Sequence, residues 1–132
     1  KPGGQFVFEC GGFGNNEKIH EALKYAFANH GFEYHFPFYF PTIGEYAALL
    51  ERAGFLPTYA ILFDRPTPLK GNDGMENWIR MFIKKPFDVV TNDKEKDTII
   101  TEAVDILRAD LCHDGSWVAD YVRLRMKAYT KE

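Results

Sequence analysis

Arginine is the residue type best suited to grip an acidic ligand, because its planar guanidinium presents paired N–H donors to a carboxylate. Arg65, Arg123 and Arg125 could do that chemistry, and each also reads as an ordinary surface side chain. Arg123, beside Tyr121, is the best placed of them. A second group is Cys10-Gly11-Gly12-Phe13-Gly14, where a strand runs into a glycine elbow and then a helix. In open α/β sheets the carboxyl ends of strands face the ligand crevice, which makes Cys10 and Gly11 candidate binding positions. A third group is aromatic: Phe32, Tyr34, Phe36, Phe38, Tyr39 and Phe40 are dense for a plain connection and suggest a pocket wall. Trp78 could cap such a pocket, although the stripe Trp78, Phe82, Ile83 reads first as core.

Other chemistries find less support. Counted from Gly12, a G-x-G-x-x-G phosphate loop would need glycine where Glu17 stands, and a carboxylate there repels phosphate. No Walker lysine follows. His20, His30, His35 and His113 lack metal-ligand spacing and have no cysteine pair beside them, so no metal is expected. Cys10 has no C-x-x-C partner, which disfavours a redox role. A net charge of −3, with Lys and Arg dispersed among Asp and Glu, gives no basic face for nucleic acid. No apolar run approaches the roughly 20 residues of a membrane span, and no signal peptide is visible. Two cysteines, Cys10 and Cys112, make no disulfide framework and read as reduced thiols of a cytoplasmic protein.

These groups must be positioned by a modest set of elements. At 132 residues and 45% hydrophobic, the chain is one domain with a real core. Lys1-Pro2-Gly3-Gly4 reads as a tight turn, and Gln5 to Cys10 as a short strand. Asn15 or Asn16 caps a helix carrying Ile19, Leu23, Ala26 and Phe27, stopped by Gly31. Thr42 and Glu45 form a capping box for a helix ending before Gly54. Phe55 to Asp64 is apolar on both faces and reads as a strand buried on both sides. Asp73 begins a helix ended by Pro86, and Thr91 or Asn92 opens the longest one, to about Leu111. His113 to Ser116 is a turn, and Trp117 to Tyr129 a closing strand. Its one face holds Val118, Val122, Leu124, Met126 and Ala128; its other holds Tyr121, Arg123 and Arg125.

The order β α α β α α β gives an α/β fold class. Three strands are few for such a sheet, and Gln5–Cys10 makes a short, apolar edge. A strand entered from a bare turn suggests a chain that begins in mid-domain. The missing strands would come from an absent N-terminal half or from a second copy, as a homodimer through Gln5–Cys10.

The ordered series Lys1-Pro2-Gly3-Gly4, Glu9-Cys10-Gly11-Gly12-Phe13-Gly14-Asn15, Tyr39-Phe40-Pro41-Thr42, Glu45-Tyr46, Ala53-Gly54-Phe55, Leu62 to Leu69 and Asn77-Trp78-Ile79 resembles the C-terminal half of class I S-adenosylmethionine-dependent methyltransferases of the trans-aconitate-methyltransferase-like kind. The likeness runs across nearly all of the chain. It implies a Rossmann-like, mixed sheet of three strands, the first and second parallel and the last antiparallel between them. It implies residues 1–132 as a single partial domain, with the S-adenosylmethionine site in a half that is not here. It also implies transfer of a methyl group to a small-molecule acceptor, with this fragment alone inactive.

Such transfer is an in-line displacement governed by alignment and water exclusion. An ionised carboxylate acceptor needs no base; a hydroxyl or amine would need one, such as Tyr39 or a histidine. The acceptor side would draw on Cys10, Gly11, Tyr39, Phe40, Trp78, Tyr121 and Arg123. The alternative is a non-catalytic binding or interaction module of methyltransferase ancestry.

Overall fold

A computed structural model of the chain describes residues 3–131. Of the opening turn, Lys1 and Pro2 lie outside the described residues, while Gly3 has φ +76°, the left-handed conformation that a glycine turn requires. The elements run β1 (Gln5–Gly11), α1 (Glu17–Asn29), α2 (Ile43–Arg52), β2 (Phe55–Leu69), α3 (Gly74–Phe82), a 3-10 turn at Lys85–Val89, α4 (Asp93–Leu111), β3 (Cys112–His113) and β4 (Ser116–Thr130). Strands and helices alternate in an α/β arrangement.

The sheet has the order β1-β4-β2, with β3 paired to β4. It is antiparallel, which corrects the mixed sheet expected from the sequence. The closing strand takes the middle place, as expected, so among the described residues β1 and β2 each bond to β4 and not to one another. The first ladder runs from Gln5↔Tyr129 to Gly11↔Arg123. The fourth strand, β3, is absent from the sequence reading. It arises because Asp114 and Gly115 both take positive φ (52° and 79°), the hairpin geometry that Asp-Gly favours, and so pair Cys112 with Trp117.

β2 departs from its expected burial. None of its residues is buried, and Leu56, Tyr59 and Ile61 are exposed. It is an outer strand, where apolar residues on both faces do not mean cover on both sides. Its extension to Leu69 carries Pro66 and Pro68, which an outer strand tolerates.

The chain divides into two compact units. One comprises residues 1–15, 39–65 and 121–132; the other comprises residues 16–38 and 66–120. The core of the first joins Leu50 of α2 to Leu124, Met126 and Ala128 of β4, with Phe8, Cys10, Phe55 and Leu62 packed against them. In the second, α4 packs on α1 and α3, burying Ile19, Leu23 and Phe27 with Ile79, Ile99, Ile100 and Ala103. β4 contributes to both units. Its buried residues are Trp117 and Ala119 in one and Leu124, Met126 and Ala128 in the other, so the buried parity changes along the strand. Val118, expected on the core face, is only half-buried.

Helix ends show which caps are local. Thr42 Oγ1 accepts from the Glu45 N–H at 3.1 Å while Glu45 Oε1 accepts from the Thr42 N–H at 2.8 Å, the expected capping box. α1 ends in a Schellman turn: Gly31 (φ +80°) donates to the Ala28 carbonyl and Phe32 to that of Phe27. The start of α1 differs from expectation. Asn16 stands at the cap position in a left-handed conformation and makes no side-chain cap bond. Asp120 Oδ2 instead accepts from the Lys18 N–H at 2.9 Å, placing a carboxylate at the positive end of the helix. Burial raises the Asp120 pKa, and the Lys18 bond opposes that shift.

The capping box gives a direct test. Thr42→Ala should lower unfolding stability by about 1 kcal/mol in a urea titration, and Thr42→Ser should restore most of it. An unchanged midpoint in the alanine variant would show that the box contributes nothing.

Candidate functional site

β1 ends in the glycine elbow, which is tied down from three directions. Gly12 N–H donates to the Val122 carbonyl (3.0 Å), Phe13 N–H to that of Pro41 (2.9 Å), and Asn15 Oδ1 accepts from Val122 N–H (2.7 Å). Asn15 is therefore the fastener of the elbow rather than a helix cap. The glycines serve close packing: a Cβ on Gly11 would lie 2.7 Å from the Phe40 ring, and one on Gly12 would lie 2.4 Å from Leu62 and 3.1 Å from Leu124. Protein atoms already fill the space that a nucleotide-binding glycine loop leaves open for its ligand. The elbow does not fit a cradle for the methyl donor.

Side chains alternate across the ladder, and this sorts the candidates. Cys10 sits on the core face opposite Leu124, packed in the cluster with Met126 and Ala128. Burial pushes its thiol pKa up, which keeps it a neutral packing group. Glu9, Gly11, Arg123 and Arg125 share the other face, where Phe40 lies over Gly11. Tyr121, half-buried, belongs to the same unit, and so does Tyr39, which is 64% exposed. Trp78 is placed differently. It is 7% exposed in the core of the other unit, with its ring 5.3 Å from that of Phe82.

The open face holds a residue that the sequence reading passed over. Glu9 is the common acceptor of three arginines. Its Oε2 accepts from Arg65 Nη1 (2.9 Å) and Arg123 Nε (3.1 Å), and its Oε1 from Arg125 Nε (3.1 Å) and Nη2 (2.8 Å). Arg125 also lies over the Phe63 ring at 5.2 Å, a cation–π contact that adds to its hold on Glu9. The Arg125 and Arg123 bonds hold the Glu9 carboxyl below its ordinary pKa. The signal was present in the alternation of β4, which puts Arg123 and Arg125 on one face. Glu9 lay unremarked because its register against them is fixed only by the fold.

The aromatic run splits between two tasks. Tyr34, Phe36 and Phe38 surround His20, whose Nδ1 lies 2.7 Å from the Tyr34 hydroxyl; the Phe36 ring stands edge-on at 4.6 Å. Burial pushes the His20 pKa down to about 4 and raises that of Tyr34. His20 is therefore a neutral imidazole in an aromatic cluster. Neither Cys10 nor Cys112 is in a disulfide. Among the described residues no group of three or more His, Cys, Asp or Glu is arranged to hold a metal ion, and no helix is long and apolar enough to cross a membrane.

The chain is 31% identical over 133 aligned positions to an uncharacterized methyltransferase of Schizosaccharomyces pombe, covering 96% of this chain and 49% of that protein. It thus spans about half the length of that curated relative. A crystal structure from Bacillus halodurans C-125, described as a candidate methyltransferase, superposes with a TM-score of 0.50 at 16% identity, over 98% of this chain and 56% of the other. The fold is accordingly methyltransferase-like. No protein-family model matches the chain.

Two measurements probe this site. Because the folded Glu9 pKa is depressed, its stabilisation is complete above the ordinary value of 4.5 and disappears as pH falls through the folded value. The stability gap between wild type and Glu9→Gln should be widest near neutrality and close in acid; a gap independent of pH would refute the ion-pair account. Gly11→Ala must displace the Phe40 ring, and overpacking of this kind costs about 1–3 kcal/mol. A variant as stable as wild type in urea would show that the ring moves freely.

Proposed function

We propose that this chain forms the acceptor side of an S-adenosylmethionine-dependent methyltransferase acting on a small molecule. The observation that carries this is the relation to the fission-yeast methyltransferase across nearly all of the chain. S-adenosylmethionine, when bound, supplies a methyl carbon made electrophilic by its sulfonium. The packing of the elbow glycines by Phe40, Leu62 and Leu124 supports a reading in which residues outside this chain hold the donor and the chain alone is inactive.

The tasks left to these residues are to bind, orient and exclude water. Arg123, on the face shared with Gly11 and half-buried, offers a fork to a carboxylate of the acceptor. Such a carboxylate is ionised at neutral pH and needs no base. Phe40, lying over Gly11, is an apolar wall beside it, and Tyr39 and Tyr121 supply hydroxyls from the same unit. Cys10 and Trp78 serve packing, Cys10 on the opposite face and Trp78 in the other unit. The filled elbow also favours a second reading, a binding module of methyltransferase ancestry without catalysis.

Calorimetric titration of the 132-residue chain with S-adenosylmethionine should give no saturable heat. A longer reading frame carrying a strand and G-x-G loop upstream should yield methyl esters from a panel of small acids, read by mass spectrometry. In that product Arg123→Lys should lower kcat/KM by about tenfold to a hundredfold, the range for loss of an orienting fork. Saturable donor binding by the chain itself would overturn the divided site. A frame without such a loop would decide for the binding module.

A further inference from the structure

The geometry points to the arginine cluster around Glu9 as a binding site for a small dianion, a molecule with two closely spaced negative groups such as a phosphate ester or a dicarboxylate. It rests on the reading above and deepens it, because Arg123 also carries the proposed acceptor fork; the titration can fail while the donor and ester experiments succeed. Three guanidinium groups converge on one carboxylate within 2.8–3.1 Å. Lys127, two residues beyond Arg125, joins them on the same face. Among the described residues of this face, Glu9 is thus shared by three arginines with a lysine beyond them, in a chain whose overall charge is −3.

A network built only for stability would pair its charges, because like charges brought together on one sheet face are destabilising. Here the surplus is positive and concentrated. It is also oriented: Arg125 lies over the Phe63 ring at 5.2 Å, and both Arg123 and Arg125 reach Glu9 through Nε. Among the described residues Arg123 spends only Nε on Glu9, which leaves its two terminal nitrogens as a donor pair. Across the ladder from Arg123 stands Gly11, with no side chain of its own and the Phe40 ring beside it. Glu9 thus acts as a positioning residue. It fixes the three planes while neutralising a minor part of their charge, and an incoming dianion completes the neutralisation with charge-assisted bonds.

The test is an NMR titration of the chain that follows the arginine Nε–Hε resonances. The probes are inorganic phosphate and, separately, succinate, with sodium chloride at matched ionic strength as control. Arg65, Arg123 and Arg125 should shift saturably, while Arg80, held by Glu76 and Asp97, should not. Saturation by phosphate alone assigns a phosphate ester, and by succinate alone a dicarboxylate; saturation by both supports a general dianion site. Arg65→Gln, at an exposed position, should weaken the apparent affinity about tenfold, as should Arg123→Lys, which keeps the charge and removes the fork. The inference fails if neither probe saturates, if chloride gives the same shifts, or if both variants titrate like wild type.

Discussion

The antiparallel ladder between β1 and β4 is the constraint from which the rest of this structure follows. Its register sets Cys10 against Leu124 and Gly11 against Arg123, and so decides which side chains meet the core and which meet the open face. A slip of one residue would turn Leu124, Met126 and Ala128 outward and carry the arginines into the core cluster. The apolar face and the charged face therefore enforce one another. Burial of Leu124 and Met126 holds the register, and the register holds Arg123 and Arg125 over Glu9. The elbow extends the same lock past the end of the strand, because Gly12 and Asn15 both bond to the backbone of Val122.

Features written in a few neighbouring residues were legible in the sequence, and those that depend on distant partners were not. Thr42 with Glu45, and Gly31 behind α1, carry their capping geometry within a single turn of chain, and both stand as expected. The cap of α1 comes from Asp120, 102 residues beyond Lys18, whereas the neighbouring sequence offers only Asn15 and Asn16 for that place. The apolar run of β2 allowed no distinction between an inner strand and an outer one, because composition records hydrophobicity and not neighbours. The parity change in β4 was hidden for a related reason: one strand serves two compact units, and a single alternation cannot describe both.

The candidate site divides along the same line. Arg123 and Gly11 could be nominated from residue chemistry and from the elbow pattern, and the fold sets them opposite one another. Glu9 could not be nominated, since a glutamate in a strand has no significance until three guanidinium groups are found around it. Trp78 is buried, as its helical stripe indicates. The glycines of the elbow are the subtlest case. Their place at the carboxyl end of β1 suggests room for a ligand, and in the fold Phe40, Leu62 and Leu124 take up that room.

The pairing of the first strand with the last also has a bearing on how this chain is made. Gly4 bonds to the hydroxyl of Thr130, 126 residues away, and Lys18 to Asp120 across nearly the whole length. Neither β1 nor the start of α1 has its partner until residues 120–130 have been made. Loop closure over such distances is slow, and contacts of high sequence separation form late. The nascent polypeptide must therefore keep Phe6, Phe8 and Cys10 waiting without their lattice of bonds, and apolar strand surface exposed in that interval is open to aggregation.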